Sequence, residues 1–296
     1  METDDLAAFL SRFESDTFVL AAAEKVGIAP DQCRFLIEMF ANEARTYAPV
    51  VEQRIKPGMK VLEIGSGLGF VSLWLARRNV NVKQLEPTAG PFDIFAKLST
   101  EIAAWSGGVS PDRLTIGAED LDPARHGTYD LLFSFNVLEH IADLDRAMAA
   151  MATVLVPGGT MLHCCPNYTF PYEPHLGIPL VPFAPALTER LFPAHITAQK
   201  RVWDSLNFVT AHRLRRLARR NGLDIELLRG QMAAQIERLI ADPIFGARHL
   251  GNASGKAISA VLRAARWMGL LTLLRLVPPD LLTPMTLIFR KPVVAS

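Results

Sequence analysis

The sequence predicts an α/β protein: a doubly wound, seven-stranded, mostly parallel sheet with an N-terminal helical cap and a helical insertion before the last strand. Three observations predict it. Strand-like segments alternate with helical ones from Lys60 onward. Several of the strands are apolar throughout, as strands covered on both faces must be. The residues able to do chemistry recur at the carboxyl ends of strands, where open α/β sheets hold their ligands.

Residues 1–56 read as helices, with Asp4, Asp16 and Asp31 as N-caps and "CRFLIEMFANEA" carrying apolar residues at helical spacing. A strand at Lys60–Ile64 leads through a glycine turn into an apolar helix near Phe70–Arg78. A second strand, "VNVKQLE", ends on Glu86, and a helix then runs to about Trp105. A short strand at Arg113–Ile116 and the apolar "TYDLLFSFN" follow. Asp143–Leu155 reads as a helix, and "PGGTMLHCCPN" as a turn and a fifth strand. Between Pro166 and Pro193 fall seven of the 20 prolines, which predicts a constrained irregular loop. Then come a basic helix, "TAHRLRRLARRNG", a strand, "LDIELLR", and a last, antiparallel strand, "MTLIFRK". The chain therefore divides into a cap (1–56), a core (57–230, including the loop 166–193), an insertion (231–282) between the last two strands, and a last strand with its tail (283–296).

The 296 residues are 50% hydrophobic and 21% charged, as in a soluble globular protein. A net charge of +1 provides no global field for nucleic acid. The charge is unevenly spread, however: from Arg201 to Ser296 there are 15 Lys/Arg against 6 Asp/Glu, an asymmetry that suits an anionic partner or a membrane surface. Cys33, Cys164 and Cys165 form no CxxC pair, and adjacent cysteines are poorly placed for a disulfide, so a reduced intracellular protein is expected. The opening "METDDLAAFL" lacks the basic flank and long apolar run of a signal peptide. The late apolar run "WMGLLTLL" is too short to cross a bilayer. A cytoplasmic protein is expected, with membrane association left open.

"VLEIGSGLGF" places Gly65, Gly67 and Gly69 at the end of the first strand in a G-x-G-x-G spacing. That is one residue shorter than the dinucleotide fingerprint. Glu86, 17 residues past Gly69, ends the second strand, where a carboxylate can accept both hydroxyls of a ribose. "GAEDL" after the third strand sets Glu119 and Asp120 where an adenine amino group could donate. Asn136 ends the fourth strand.

These motifs resemble the class I S-adenosylmethionine-dependent methyltransferases: "VLEIGSGLG", "QLEP", "GAEDL", "YDLLFSFNVLEHIAD" and "LVPGGTMLH" each match, over roughly residues 45–165 and again around 209–228. The "VLEH" element is most similar to the branch of the ubiquinone-biosynthesis O-methyltransferase. The resemblance implies a Rossmann-like core that binds S-adenosylmethionine through Glu63, Gly65, Ser66, Gly67, Gly69, Glu86, Pro87, Glu119, Asp120, Asn136 and Val137. This cofactor carries adenine and ribose but no phosphate, so it needs no phosphate cradle.

Methyl transfer needs in-line positioning of a nucleophile and removal of its proton. His140 in "LEH" is the candidate base, since a histidine titrates near about 6.5. The alternative is that Glu139 and His140 cap or brace the next helix. Related enzymes with an E-x-x-E-H pattern bind a metal, but here Asn136 takes the first position, and no metal is expected; His163, Glu173 and His175 could compensate only if the proline-rich loop folded back. In this architecture that loop lies beside the methyl end of the cofactor, which makes Tyr168, Tyr172, Glu173 and His175 the substrate-side candidates; a rigid structural lid is the alternative. In the segment 256–282, Ile258, Val261, Leu262, Ala265, Met268, Leu271 and Leu274 recur at helical spacing. Such a stripe reads first as packing against the sheet or a homodimer partner, and second as a peripheral membrane or lipid contact.

The predicted activity is methylation of a hydroxyl on a small or amphipathic acceptor such as a quinone-like phenol, a polyketide or a lipid-linked sugar. An N- or C-methyltransferase is the alternative within the class, and a non-catalytic cofactor-binding regulatory or partner subunit the alternative outside it. A nucleic-acid substrate is not expected, because the chain has neither the N/D-P-P-Y/F pattern after strand four nor an evident basic-aromatic groove.

Overall fold

The computed structural model describes residues 5–87, 93–241 and 253–293. Three helices come first: α1 (Leu6–Glu14), α2 (Asp16–Val26) and α3 (Pro30–Glu52). An aromatic cluster joins the first two of them: Phe13 meets Phe9, Phe18 and Phe70, each with ring centroids 5.3 Å apart. Two N-caps differ from expectation. Ser15, rather than Asp16, caps α2 by accepting the Phe18 amide. At α3 the cap position is Ala29, and Pro30 opens the helix with Asp31 already in its first turn. Asp4 lies outside the described residues.

The strands are β1 (Lys60–Ile64), β2 (Asn81–Leu85), β3 (Asp112–Leu114), β4 (Tyr129–Phe135), β5 (Leu155–Cys165), β6 (Tyr172–Glu173), β7 (Ile178–Pro179), β8 (Asp224–Leu227) and β9 (Met285–Arg290). Seven of them form one sheet in the order β3-β2-β1-β4-β5-β9-β8. The pairs β1–β2, β1–β4 and β2–β3 are parallel, with Val61 opposite Val82 on one side and Leu131 on the other. The predicted seven-stranded, mostly parallel α/β sheet is therefore present. Val61, Leu62, Ile64, Leu131, Leu132 and Phe133 are all buried, which accounts for the unbroken apolar runs. The third strand is shorter and earlier than the sequence suggested.

Helices α4 (Phe70–Arg77), α5 (Asp93–Trp105), α6 (Pro123–His126) and α7 (Leu144–Val154) link the first five strands. Contacts divide the chain into two compact units, one of residues 1–163, 217–224 and 289–296, the other of 164–216 and 225–288. In the second unit the proline-rich stretch is more ordered than expected. It contains an antiparallel hairpin, β6–β7, with Glu173 opposite Ile178, and a helix, α8 (Pro185–Leu191). Helices α9 (Pro193–Ala198), α10 (Lys200–Ser205), α11 (Ala211–Arg220), α12 (Gln231–Ala241), α13 (Ala253–Trp267) and α14 (Leu270–Leu274) complete the described α-helices. The apolar stripe is only partly covered: Val261 and Met268 are exposed, Leu262 and Ala265 are half-buried, and Leu271 in α14 is buried. None of the three cysteines forms a disulfide, and all three are buried. No helix among the described residues is long and apolar enough to cross a membrane.

Candidate active site

The first unit gathers the predicted cofactor residues at the carboxyl ends of four neighbouring strands. After β1 the chain turns through Gly65, Gly67 and Gly69 with φ of 65°, 53° and 77°, a region that only glycine enters freely. The turn is tied to its neighbour, because the amides of Gly65 and Ser66 both donate to Leu85 O, at 2.7 and 3.2 Å. A side chain at Gly65 would strike Val137, one atom of which lies 2.7 Å from the position of the missing Cβ. The turns after β1 and β4 thus touch.

Beneath the turn, buried Glu63 accepts hydrogen bonds from the amide and hydroxyl of Ser72 in the first turn of α4. Burial lifts its carboxyl to about 8 against the pull of those two bonds. Glu63 thereby secures the helix that the glycine turn opens.

Glu86, just past β2, is buried, and its Oε2 accepts the Gly67 amide at 2.7 Å. Burial raises its pKa, and the Gly67 bond and the charge of Arg113 offset part of the rise. Its Oε1 has no hydrogen-bond donor among the described residues, and neither has the buried Ser66 hydroxyl in the middle of the turn. Pro87 follows directly. Beyond β3, Glu119 and Asp120 sit on a single turn of 3₁₀ helix (Ala118–Asp120). The Glu119 side chain folds against Gly117, and Asp120 is paired with Arg146 at 2.6 Å. Beyond β4, Asn136 adopts a left-handed φ of 54° and donates to Glu43 at 2.7 Å. Val137 then leads into a second 3₁₀ turn, Leu138–His140, in which Glu139 is fully buried and His140 half-buried.

Three residues that the sequence reading missed complete this region. Phe40, Glu43 and Tyr47 share one face of α3. Phe40 covers Gly67, Glu43 holds Asn136, and Tyr47 stacks on Phe135 with ring centroids 4.1 Å apart and planes 3° from parallel. The signal lay in "FANEARTY", whose spacing of three and seven residues puts all three side chains on one stripe.

In the second unit, three of the four substrate-side candidates form one cluster. Glu173 is fully buried and accepts Tyr168 OH at 3.3 Å, His175 Nδ1 at 2.6 Å, and the amides of His175 and Leu176. Burial alone would raise its pKa, but the His175 hydrogen bond and charge and the two amides outweigh it and hold the carboxyl low. Tyr172 stands apart, 41% exposed. Asn167, also unanticipated, is the other buried hub of the loop: its amide group donates to Asp280 O and Leu282 O, and its oxygen accepts the Thr169 and Ala211 amides. His163, in the first unit, is a core residue whose Nδ1 lies 2.6 Å from Ser134 Oγ, and burial lowers its pKa to about 3.

Fold and turn together define an α/β domain built to hold a nucleoside-bearing cofactor: a glycine turn with an unpaired hydroxyl, a buried carboxylate with one oxygen to spare, and acidic groups after the next strand. Residues 37–228 match the family model described as a methyltransferase domain. An uncharacterized protein of Mycobacterium tuberculosis is 33% identical over 218 residues, covering 70% of this chain and 72% of its own. The ubiquinone biosynthesis O-methyltransferase of Rhizobium etli is 34% identical over 132 residues, or 45% of this chain and 48% of that protein. Among solved structures, phosphoethanolamine N-methyltransferase 2 of Haemonchus contortus in complex with S-adenosyl-L-methionine aligns with a TM-score of 0.49 at 15% identity, over 97% of this chain and 60% of that one.

The chain belongs to this methyltransferase family. It is an S-adenosylmethionine-dependent enzyme, and the residues present fit that cofactor.

Proposed function

We propose that the enzyme methylates a hydroxyl of a small or amphipathic acceptor. The observation that carries this reading is His140, a half-buried histidine on the 3₁₀ turn that follows β4, four residues past Asn136. The cofactor supplies a methyl group already activated on a sulfonium. The chain must therefore orient the acceptor and take its proton, which a hydroxyl gives up less readily than a neutral amine gives its lone pair.

In this reading Glu86 Oε1 and the Ser66 hydroxyl hold the sugar end of the cofactor, and the turn Asn136–His140 faces its methyl end. His140 accepts the hydroxyl proton. Tyr172 and the Tyr168–Glu173–His175 cluster are proposed for the acceptor side, with Glu173 keeping His175 oriented. The similarity to ubiquinone-biosynthesis enzymes supports an oxygen acceptor, although it spans about half of their length.

The test is transfer of labelled methyl to a panel of catechols, hydroquinones, polyketide phenols, primary amines and active-methylene compounds. Turnover confined to the hydroxylated members supports the proposal. Turnover confined to amines or carbon acids, or to none while the cofactor still binds, overturns it.

A further inference from the structure

We propose that the exposed face formed by α13 and α14 docks the protein onto the surface of an anionic lipid bilayer. In α13, Ala260, Val261, Ala264, Trp267 and Met268 recur at spacings of three, four and seven residues, and all five are exposed. The residues between them, Leu262 and Ala265, are the half-buried ones that face the rest of the unit. The outward stripe is therefore separate from the packing stripe. Gly269, with φ of 76°, breaks the helix, and Leu270 and Leu273 of α14 and Leu276 just past it continue the surface. Trp267 is 89% exposed and Leu276 70%; a single exposed apolar side chain is ordinary, whereas a set of them along one segment marks a contact surface.

Charge selects the occupant. From Ala253 to Pro279 there is no Asp or Glu, while Lys256, Arg263, Arg266 and Arg275 are present. Arg275 is bound by Glu237. Arg263 hydrogen-bonds only Ser259, and neither it nor Arg266 has a carboxylate partner among the described residues. An apolar stripe containing a tryptophan and flanked by uncompensated arginines is the pattern of a helix lying in the headgroup region of an anionic bilayer. A second copy of the chain is disfavoured, because a two-fold interface would set the same arginines against each other. The inference does not depend on which acceptor is methylated.

The full-length protein is sedimented with phosphatidylglycerol vesicles and with phosphatidylcholine vesicles, without cofactor or acceptor, at low and high salt. Binding is expected to the phosphatidylglycerol vesicles and to fall as salt screens the arginines. The double variant Met268→Glu/Leu273→Glu should partition at least about tenfold less, from the loss of two apolar contacts. Arg263→Glu/Arg266→Glu should lose the preference for the anionic lipid. Both pairs are exposed, so unchanged thermal melting is expected and serves as the folding control. Wild-type protein left in the supernatant with both lipids overturns the proposal. So does equal binding by Met268→Glu/Leu273→Glu, or a lipid-free dimer that this variant splits into monomers.

Discussion

The carboxylate of Glu86 can be perturbed in two ways that the structure separates. Its Oε2 is committed to the Gly67 amide at 2.7 Å, which leaves Oε1 for the ribose of the cofactor. A hydrogen bond to a charged group contributes about 1.5–3 kcal/mol. Glu86→Ala removes that bond and the support of the glycine turn, so affinity should fall by at least that amount, roughly 10- to 150-fold in Kd. Glu86→Gln keeps an acceptor for Gly67 and loses the charge, so its loss should be the smaller. Stability should move differently. Burial penalises the carboxylate and raises its pKa, so the neutral glutamine should melt no earlier than wild type, whereas alanine, with Gly67 unpaired, should melt earlier. For the same reason affinity should fall on acidification from a higher pH than an exposed carboxylate would give. Titration calorimetry with S-adenosylhomocysteine on folded variants decides it. An alanine variant within about twofold of wild type would refute the ribose assignment.

Gly67→Ala forces a side chain into a left-handed turn, at about 1–2 kcal/mol, and into the Phe40 ring; the cost should shrink in a Phe40→Ala background, as a denaturation double-mutant cycle would show. His140→Ala should leave cofactor affinity nearly intact and cut turnover about 10²–10⁴-fold, with loss of the limb in the pH–rate profile that rises through the pKa of the histidine; a stable variant of nearly full activity would exclude it as the base. Glu63, lifted from 4.5 to about 8, contributes stability that is full below pH 4.5 and lost as pH rises through about 8. Urea midpoints should thus fall less between pH 6 and 8 in Glu63→Gln than in wild type, and parallel curves would contradict the burial argument. His163 has the opposite sign: lowered from 6.5 to about 3, its contribution is present above 6.5 and lost as pH falls through about 3.

The sheet and the glycine turn were legible because their causes are local. An unbroken apolar strand can be buried only on both faces, and three glycines alternating after such a strand describe a backbone that repeatedly enters the left-handed region. The N-cap of α2 was not legible, since a serine and an aspartate stand side by side at residues 15 and 16, and either can cap. The hairpin in the proline-rich loop was hidden for a different reason. Its strands are two residues each, and what orders them is the Glu173 carboxylate gathering four donors, an arrangement that no period reveals.

The same ambiguity explains both the missed face of α3 and the half-covered stripe of α13. A period of 3.6 shows that a helix has an apolar side without showing what that side meets. In α3, Phe40, Glu43 and Tyr47 look like an ordinary packing face with one charge in it. The charge carries the information, because Glu43 lies where the amide of Asn136 needs an acceptor. In α13 the apolar residues fall into two adjacent stripes, of which only the one through Leu262 and Ala265 is partly covered. The arginines again distinguish them: a stripe meant for the interior needs no flanking cations, and one that meets an anionic surface does. In α3 the polar residue bordering the apolar face, rather than the apolar residues themselves, identifies the partner, and the lipid docking proposed for α13 rests on residues of the same kind.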